Sequence, residues 1–155
     1  MARWSDNVPP MTAYISGALI NAVNLAESRA RYERFAGACR ACGWDAYVPH
    51  QHVDPERDAH LSNTDVARRD LDAVMTSDVL IAYVGEPSLG VGAEVAIALA
   101  ARKPVLLVAE AHRKVSRFLL GLVELDGAPA RVCRYASLDE ACDWIGRELR
   151  TIRPI

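Results

Sequence analysis

The chain alternates short apolar runs with amphipathic segments in a regular rhythm. "TAYIS", "DAYVP", "DVLIAYV", "KPVLLVAE" and "ARVCRY" are rich in Val, Ile, Leu and Tyr and bounded by Gly, Pro, Asp or Ser, which predicts five strands. Between them the spacing turns helical. "NLAESRARYERFAGACRAC" carries Leu25, Tyr32, Phe35, Ala36 and Cys39 on one side and closes on Gly43 as its C-cap. "DVARRDLDAVMTS" follows Asn63 or Thr64 as N-cap and is expected to bury Val66, Leu71 and Val74 or Met75. "GAEVAIALAAR", "KVSRFLLGLVE" and "SLDEACDWIGRELRTI" complete the set, the last with Ser137 as N-cap and Glu140 at the capping-box position.

Strands separated by helices imply a parallel sheet with right-handed crossovers. The expected fold is therefore α/β: a flavodoxin- or Rossmann-like, doubly wound five-stranded parallel sheet of order 2-1-3-4-5, with helices on both faces. The unbroken apolar character of "VLIAYV" makes the third strand the central one. Residues 1–11, polar and rich in Pro at their end, read as a loose leader, and residues 12–155 as a single domain. The order places a cleft at the carboxyl ends of strands one and three. Three segments converge there: "YISGALIN", "HQHVDPERD" and "GEPSLGVGAE".

Composition narrows the function classes. At 155 residues and 51% hydrophobic, the chain can bury a core without disulfides or metal. A formal charge of −2 offers no general attraction to a nucleic-acid polymer. No apolar run approaches the roughly 18 residues of a membrane span, and no charged leader precedes an apolar stretch, so a cytoplasmic protein with no membrane partner is expected. "CRAC", Cys39 and Cys42, falls late in a helix with no second Cys pair to complete a zinc site, which favours ordinary packing.

In the loop after strand three, Gly90 and Gly92 allow close backbone approach. Ser88 adds a hydroxyl, and the helix N-terminus favours an anion such as phosphate or carboxylate. A bare Gly-x-Gly is equally a turn. Glu94 sits in the first turn of the following helix. It has two readings: a residue suited to the helix dipole, or a carboxylate poised at the cleft to attack a sugar carbon. Tyr14, near the end of strand one, is either core or a hydroxyl that reaches a cleft carboxylate. Tyr83 belongs to the core. Asp70 and Asp72 cannot share a helix face, whereas Asp65 and Asp72 can, and charge pattern alone leaves all three on the surface. His50, His52 and Asp54 alternate by two, which on an extended segment would set imidazoles and a carboxylate to one side. With no further ligand signalled, hydrogen-bonding roles are preferred and no metal is expected.

"YISGAL", an Asp on the helix before "SDVLIAYV" and above all "PSLGVGAE" resemble the nucleoside 2-deoxyribosyltransferase superfamily over roughly residues 12–122. "PSLGVG-x-E" is particularly similar to the 2'-deoxynucleoside 5'-phosphate N-hydrolase branch. The resemblance implies cleavage of an N-glycosidic bond of a nucleotide or nucleoside without a cofactor. Glu94 matches the nucleophile, Tyr14 the tyrosine that hydrogen-bonds it, and Asp70 the aspartate that positions or protonates the departing base. Ser88, with the amides around Gly90 and Gly92, matches the 5'-phosphate contact. Ser116 is similar to a serine reaching that phosphate from the neighbouring subunit, which implies a homodimer with a shared site. Ser16 and Gly17 at the end of strand one, and His50, are expected to line the substrate. The chain departs from the hydrolases in "SGALINAV", which lacks their Gly-rich, Arg-containing turn, and from the transferases in having Ala18 and Leu19 in place of Pro-Phe. Base exchange between nucleosides is the neighbouring activity. A non-catalytic nucleotide-sensing module is the alternative of another class.

Overall fold

A computed structural model of the chain describes residues 9–20 and 22–152. Most of the expected leader, residues 1–8, lies outside the described residues. The elements run β1 (Thr12–Ser16), α1 (Leu25–Ala41), β2 (Asp45–Tyr47), α2 (Asn63–Thr76), β3 (Val79–Tyr83), α3 (Leu89–Ala100), β4 (Val105–Glu110), α4 (Arg117–Glu124), β5 (Ala130–Tyr135) and α5 (Leu138–Leu149). All strand pairs are parallel and the order is β2-β1-β3-β4-β5, as the pattern predicts.

Strand periodicity sorts the core into two layers. Ala13, Ile15, Ile81, Tyr83, Leu106 and Val108 pack with Phe35, Cys39, Ile145 and Leu149 of α1 and α5. Tyr14, Leu80, Ala82, Val84, Leu107 and Ala109 pack with Val74, Val91, Val95 and Ala98 of α2 and α3. Every residue of β3 is buried, as a strand covered on both faces requires. Cys39 lies within the first layer, where burial pushes its thiol up to about 12. Cys42 directs its sulfur to the Gly146 carbonyl of α5. Gly43 takes a positive φ of 80° where α1 ends.

Helix boundaries differ from the sequence reading in instructive ways. The N-cap of α2 is Ser62, whose hydroxyl accepts from the Asp65 amide while the Asp65 carboxylate reaches back to Ser62: a full capping box. In α5 the Ser137 hydroxyl accepts from the Glu140 amide, but the Glu140 carboxylate accepts from the Ala136 amide, one residue before the cap. α2 lies against α3 and β1, so of its apolar residues only Val74 is fully buried. Leu71 and Met75 remain 45% and 48% exposed.

Candidate active site

Tyr14 and Ser16 are two residues apart on β1 and therefore point to the same face, the one α3 covers. Their hydroxyls donate to opposite oxygens of one carboxylate: Tyr14 Oη to Glu94 Oε1 at 2.7 Å and Ser16 Oγ to Glu94 Oε2 at 2.5 Å. Both donors are completely buried. Ser88 caps α3, its Oγ accepting from the Val91 amide, and this fixes the turn on which Glu94 projects toward β1. Ser16, expected to line the substrate, hydrogen-bonds Glu94. Its register partner on β3 is Ala82, a small residue, and the hydroxyl turns to the helix that covers both.

Asp70 comes to the same place from α2. Its Oδ1 is buried without a hydrogen-bond partner, although the hydroxyls of Tyr47 and Tyr14 face the carboxylate and partly offset its burial. Tyr47 is the register partner of Tyr14 on β2, and the two rings stack at 5.4 Å. Asp72, by contrast, is exposed. Burial is the dominant influence on both acids. It raises Asp70 to about 6. Glu94 is also raised to about 6, burial outweighing the Ser16 and Tyr14 hydrogen bonds, with the nearby Asp70 charge adding to the effect. Burial and the adjacent Glu94 hold the Tyr14 hydroxyl far above its usual range, so it stays a donor. Two interacting carboxyls that titrate together favour the state in which one is ionised and one protonated.

A cavity of about 850 Å³ opens at the carboxyl end of the sheet, over the start of α3. Ser88, Gly90 and Gly92 line it at the start of α3, and Lys114 and Ser116 at the start of α4. Glu94 is not in its lining, but Gly92 and Ala96, on either side of it along α3, are. Ser116 caps α4, its Oγ accepting from the Leu119 amide at 3.4 Å. Ser88 and Ser116 cap helices that follow the adjacent strands β3 and β4, so one chain brings both to one cavity.

Two further residues take other places than expected. Gly17 is where the Tyr32 ring crosses the end of β1. A Cβ there would lie 2.1 Å from Tyr32 Cζ, and the Tyr32 hydroxyl donates to the Ala18 carbonyl at 2.9 Å. The glycine thus serves close packing. His50 is buried in a 3-10 turn over Pro49–Gln51, with Nε2 2.8 Å from Glu33 Oε1 of α1, and it does not line the cavity. That turn also disperses the His50, His52 and Asp54 alternation. His52 stacks on Tyr47 at 4.3 Å. Asp54 forms a two-pronged bond with Arg29 at 2.7 and 2.9 Å. Burial would raise the Asp54 carboxyl, but the Arg57 and Glu56 amides and Arg29 together bring it down to about 2. Tyr47, Glu86 and Lys114 are the site residues that motif reading passes over; for Tyr47 the signal was its in-register position opposite Tyr14.

The profile of the nucleoside 2-deoxyribosyltransferase family matches residues 14–142. A putative 2'-deoxynucleoside 5'-phosphate N-hydrolase 1 of Methanosarcina barkeri is 39% identical over 80 residues, 49% of this chain and 50% of that protein. The chain thus spans about half the length of the first curated relatives it matches. The 5-hydroxymethyl-dUMP N-hydrolase of Mus musculus is 29% identical over 137 residues, 85% of this chain and 76% of its own. Among solved structures, the Clostridium botulinum CMP N-glycosidase BcmB has the same fold, with a TM-score of 0.67 at 19% identity, covering 88% of this chain and 98% of its own.

The raised acids also set a stability signature. A carboxyl whose folded pKa of about 6 lies above its ordinary 3.8 adds stability below pH about 4, and this contribution is lost as pH rises through 6. Asp70→Asn should therefore stabilise the protein at pH 8 by on the order of 1–2 kcal/mol, partial solvent exposure allowed for, and have little effect at pH 4. Thermal denaturation at the two pH values measures this; an equal effect at both would contradict the assignment. Shared profile and topology agree: the chain belongs to the nucleoside 2-deoxyribosyltransferase family.

Proposed function

We propose that the protein hydrolyses the N-glycosidic bond of a nucleoside 5'-monophosphate, releasing free base and a pentose 5-phosphate. The observation that carries the reading is the carboxylate of Glu94, held by Tyr14 and Ser16, on the helix whose first turn lines a cavity together with Ser116. The names of the M. barkeri and mouse relatives support the substrate class. Ionised Glu94 attacks C1' as the bond to the base breaks, and protonated Asp70 gives its proton to the departing base. The product is a pentosyl ester of Glu94. Asp70, now ionised, takes a proton from water, which attacks C1' and restores the Glu94 carboxylate. Tyr14 and Ser16 fix the carboxylate for approach to C1'. The phosphate lies against Ser88, the Gly90 amide at the start of α3, and Ser116, while the Gly92 amide is taken by the Ser88 carbonyl at 3.1 Å. The chemistry asks for no metal or redox cofactor.

The family is named for a transferase. If a second base replaces water, the same ester yields a new nucleoside. Chromatographic detection of free base from ribo- and deoxyribonucleoside 5'-monophosphates and the matching nucleosides, with and without an added acceptor base, separates the two. We expect base release from 5'-phosphates without an acceptor, strongest near pH 6, where one carboxyl of the pair is ionised. Glu94→Ala should lose at least about 10³-fold in rate while keeping ligand binding. Ligand binding without base release from any member would favour the sensing module.

A homodimer is part of the proposal. A second, apolar groove of about 420 Å³ is lined by Leu99, Phe118, Leu122 and Leu125. Phe118, on its rim, is 74% exposed. A projecting aromatic beside a groove suits a two-fold interface in which each copy fills the other. Sedimentation equilibrium should give twice the 17.0 kDa chain mass, reduced to the monomer by Phe118→Asp. A monomeric wild-type protein would contradict the dimer.

A further inference from the structure

Glu86 precedes the Pro87–Ser88 turn and no motif reading assigns it a role. Its side chain lines the 850 Å³ cavity. The residue is only 9% exposed, and its Oε2 is buried with no hydrogen-bond partner. Among the described residues no cation pairs with it. A carboxylate in this condition is costly, because it has given up water without regaining donors. Glu94 is satisfied by Tyr14 and Ser16, and Asp54 by Arg29 and loop amides; Asp70, whose Oδ1 is likewise unpartnered, faces the hydroxyls of Tyr47 and Tyr14. Glu86 therefore lines the cavity with acceptor capacity that no donor among the described residues meets.

We infer that Glu86 accepts a hydrogen bond from the 3'-hydroxyl of the bound pentose and so selects ligands that carry it. This rests on the nucleoside 5'-phosphate reading above. A nucleoside 5'-phosphate has few donors: its sugar hydroxyls and, depending on the base, an amino group or a ring N–H. Asp70 takes the base side from α2. Glu86 stands on the other flank, near Tyr32 of α1, and its negative charge acts on the Tyr32 hydroxyl. It is also two residues from Ser88, where the phosphate is held. The carbon bearing the 3'-hydroxyl adjoins C4', which carries the phosphorylated C5', so this hydroxyl is the sugar donor next to the phosphate grip. Lys114 and the two capped helix ends supply the positive field for the phosphate; Glu86 answers the hydroxyl.

The test compares kcat/KM for a 2'-deoxynucleoside 5'-monophosphate and its 2',3'-dideoxy counterpart, which differ only in that hydroxyl. Wild-type protein should prefer the hydroxylated member by roughly 10- to 100-fold, the usual size of a hydrogen bond to a charged group. In Glu86→Ala the ratio should fall to near one, and in Glu86→Gln, which keeps the shape and a weaker acceptor, to an intermediate value. The same ratio in wild type and both variants overturns the inference, as does a Glu86 effect that follows the base instead of the hydroxyl. Calorimetric Kd values for the same pair, in Glu94→Ala and Glu94→Ala/Glu86→Gln proteins, separate this inference from the parent reading. A Glu86-dependent preference in binding without any base release by wild type would remove the catalytic reading and keep the inference. Neither binding nor release would overturn both.

Discussion

The site depends on one carboxylate being buried yet not free. Glu94 lies between α3 and β1, where desolvation opposes its charge, and two strand hydroxyls receive its oxygens. Hydrogen bonds to an ionised group are among the stronger ones, and here they do two things at once. They make the charge tolerable, and they fix the direction in which it points. That direction in turn requires β1 beside β3, since α3 follows β3 and must lie across β1 to meet Tyr14 and Ser16. The strand order and the chemistry of the site are thus one constraint seen at two scales.

Around that carboxylate the remaining groups sort by sheet face and sheet end. Tyr14, Tyr47 and His52 form a continuous stack along the β1–β2 side, with Asp70 facing the two tyrosines. Anion-binding features collect on the β3–β4 side, where Ser88 and Ser116 cap successive helices into one cavity.

Much of this was legible in the residues. Strand positions and order followed from apolar runs and β–α alternation, because a parallel sheet buried on both faces leaves few alternatives. Glu94, Tyr14 and Asp70 were singled out by motif, and the structure brings them together. The His50 loop was not legible: its shape is set by long-range partners, Glu33 and Arg29 of α1, which lie about 20 residues away in sequence and leave no local period. Gly17 looked like a ligand-facing glycine, but its reason is the Tyr32 ring crossing the strand end. Leu71 and Met75 have core spacing, yet they lie outside the side of α2 that packs on α3 and β1. In each case the missing information was which element packs on which side chain, and a local pattern does not carry that.

The central claim is that Glu94 forms a bond to C1'. Incubating the protein with a 2'-deoxy-2'-fluoro nucleoside 5'-monophosphate, whose electron-poor sugar slows release of the ester, and mapping the digested product by mass spectrometry tests this directly. The account predicts a pentose-phosphate adduct on the peptide that contains Glu94, absent from Glu94→Gln. Free base released with no adduct at any time point, or an adduct on another side chain, would contradict it.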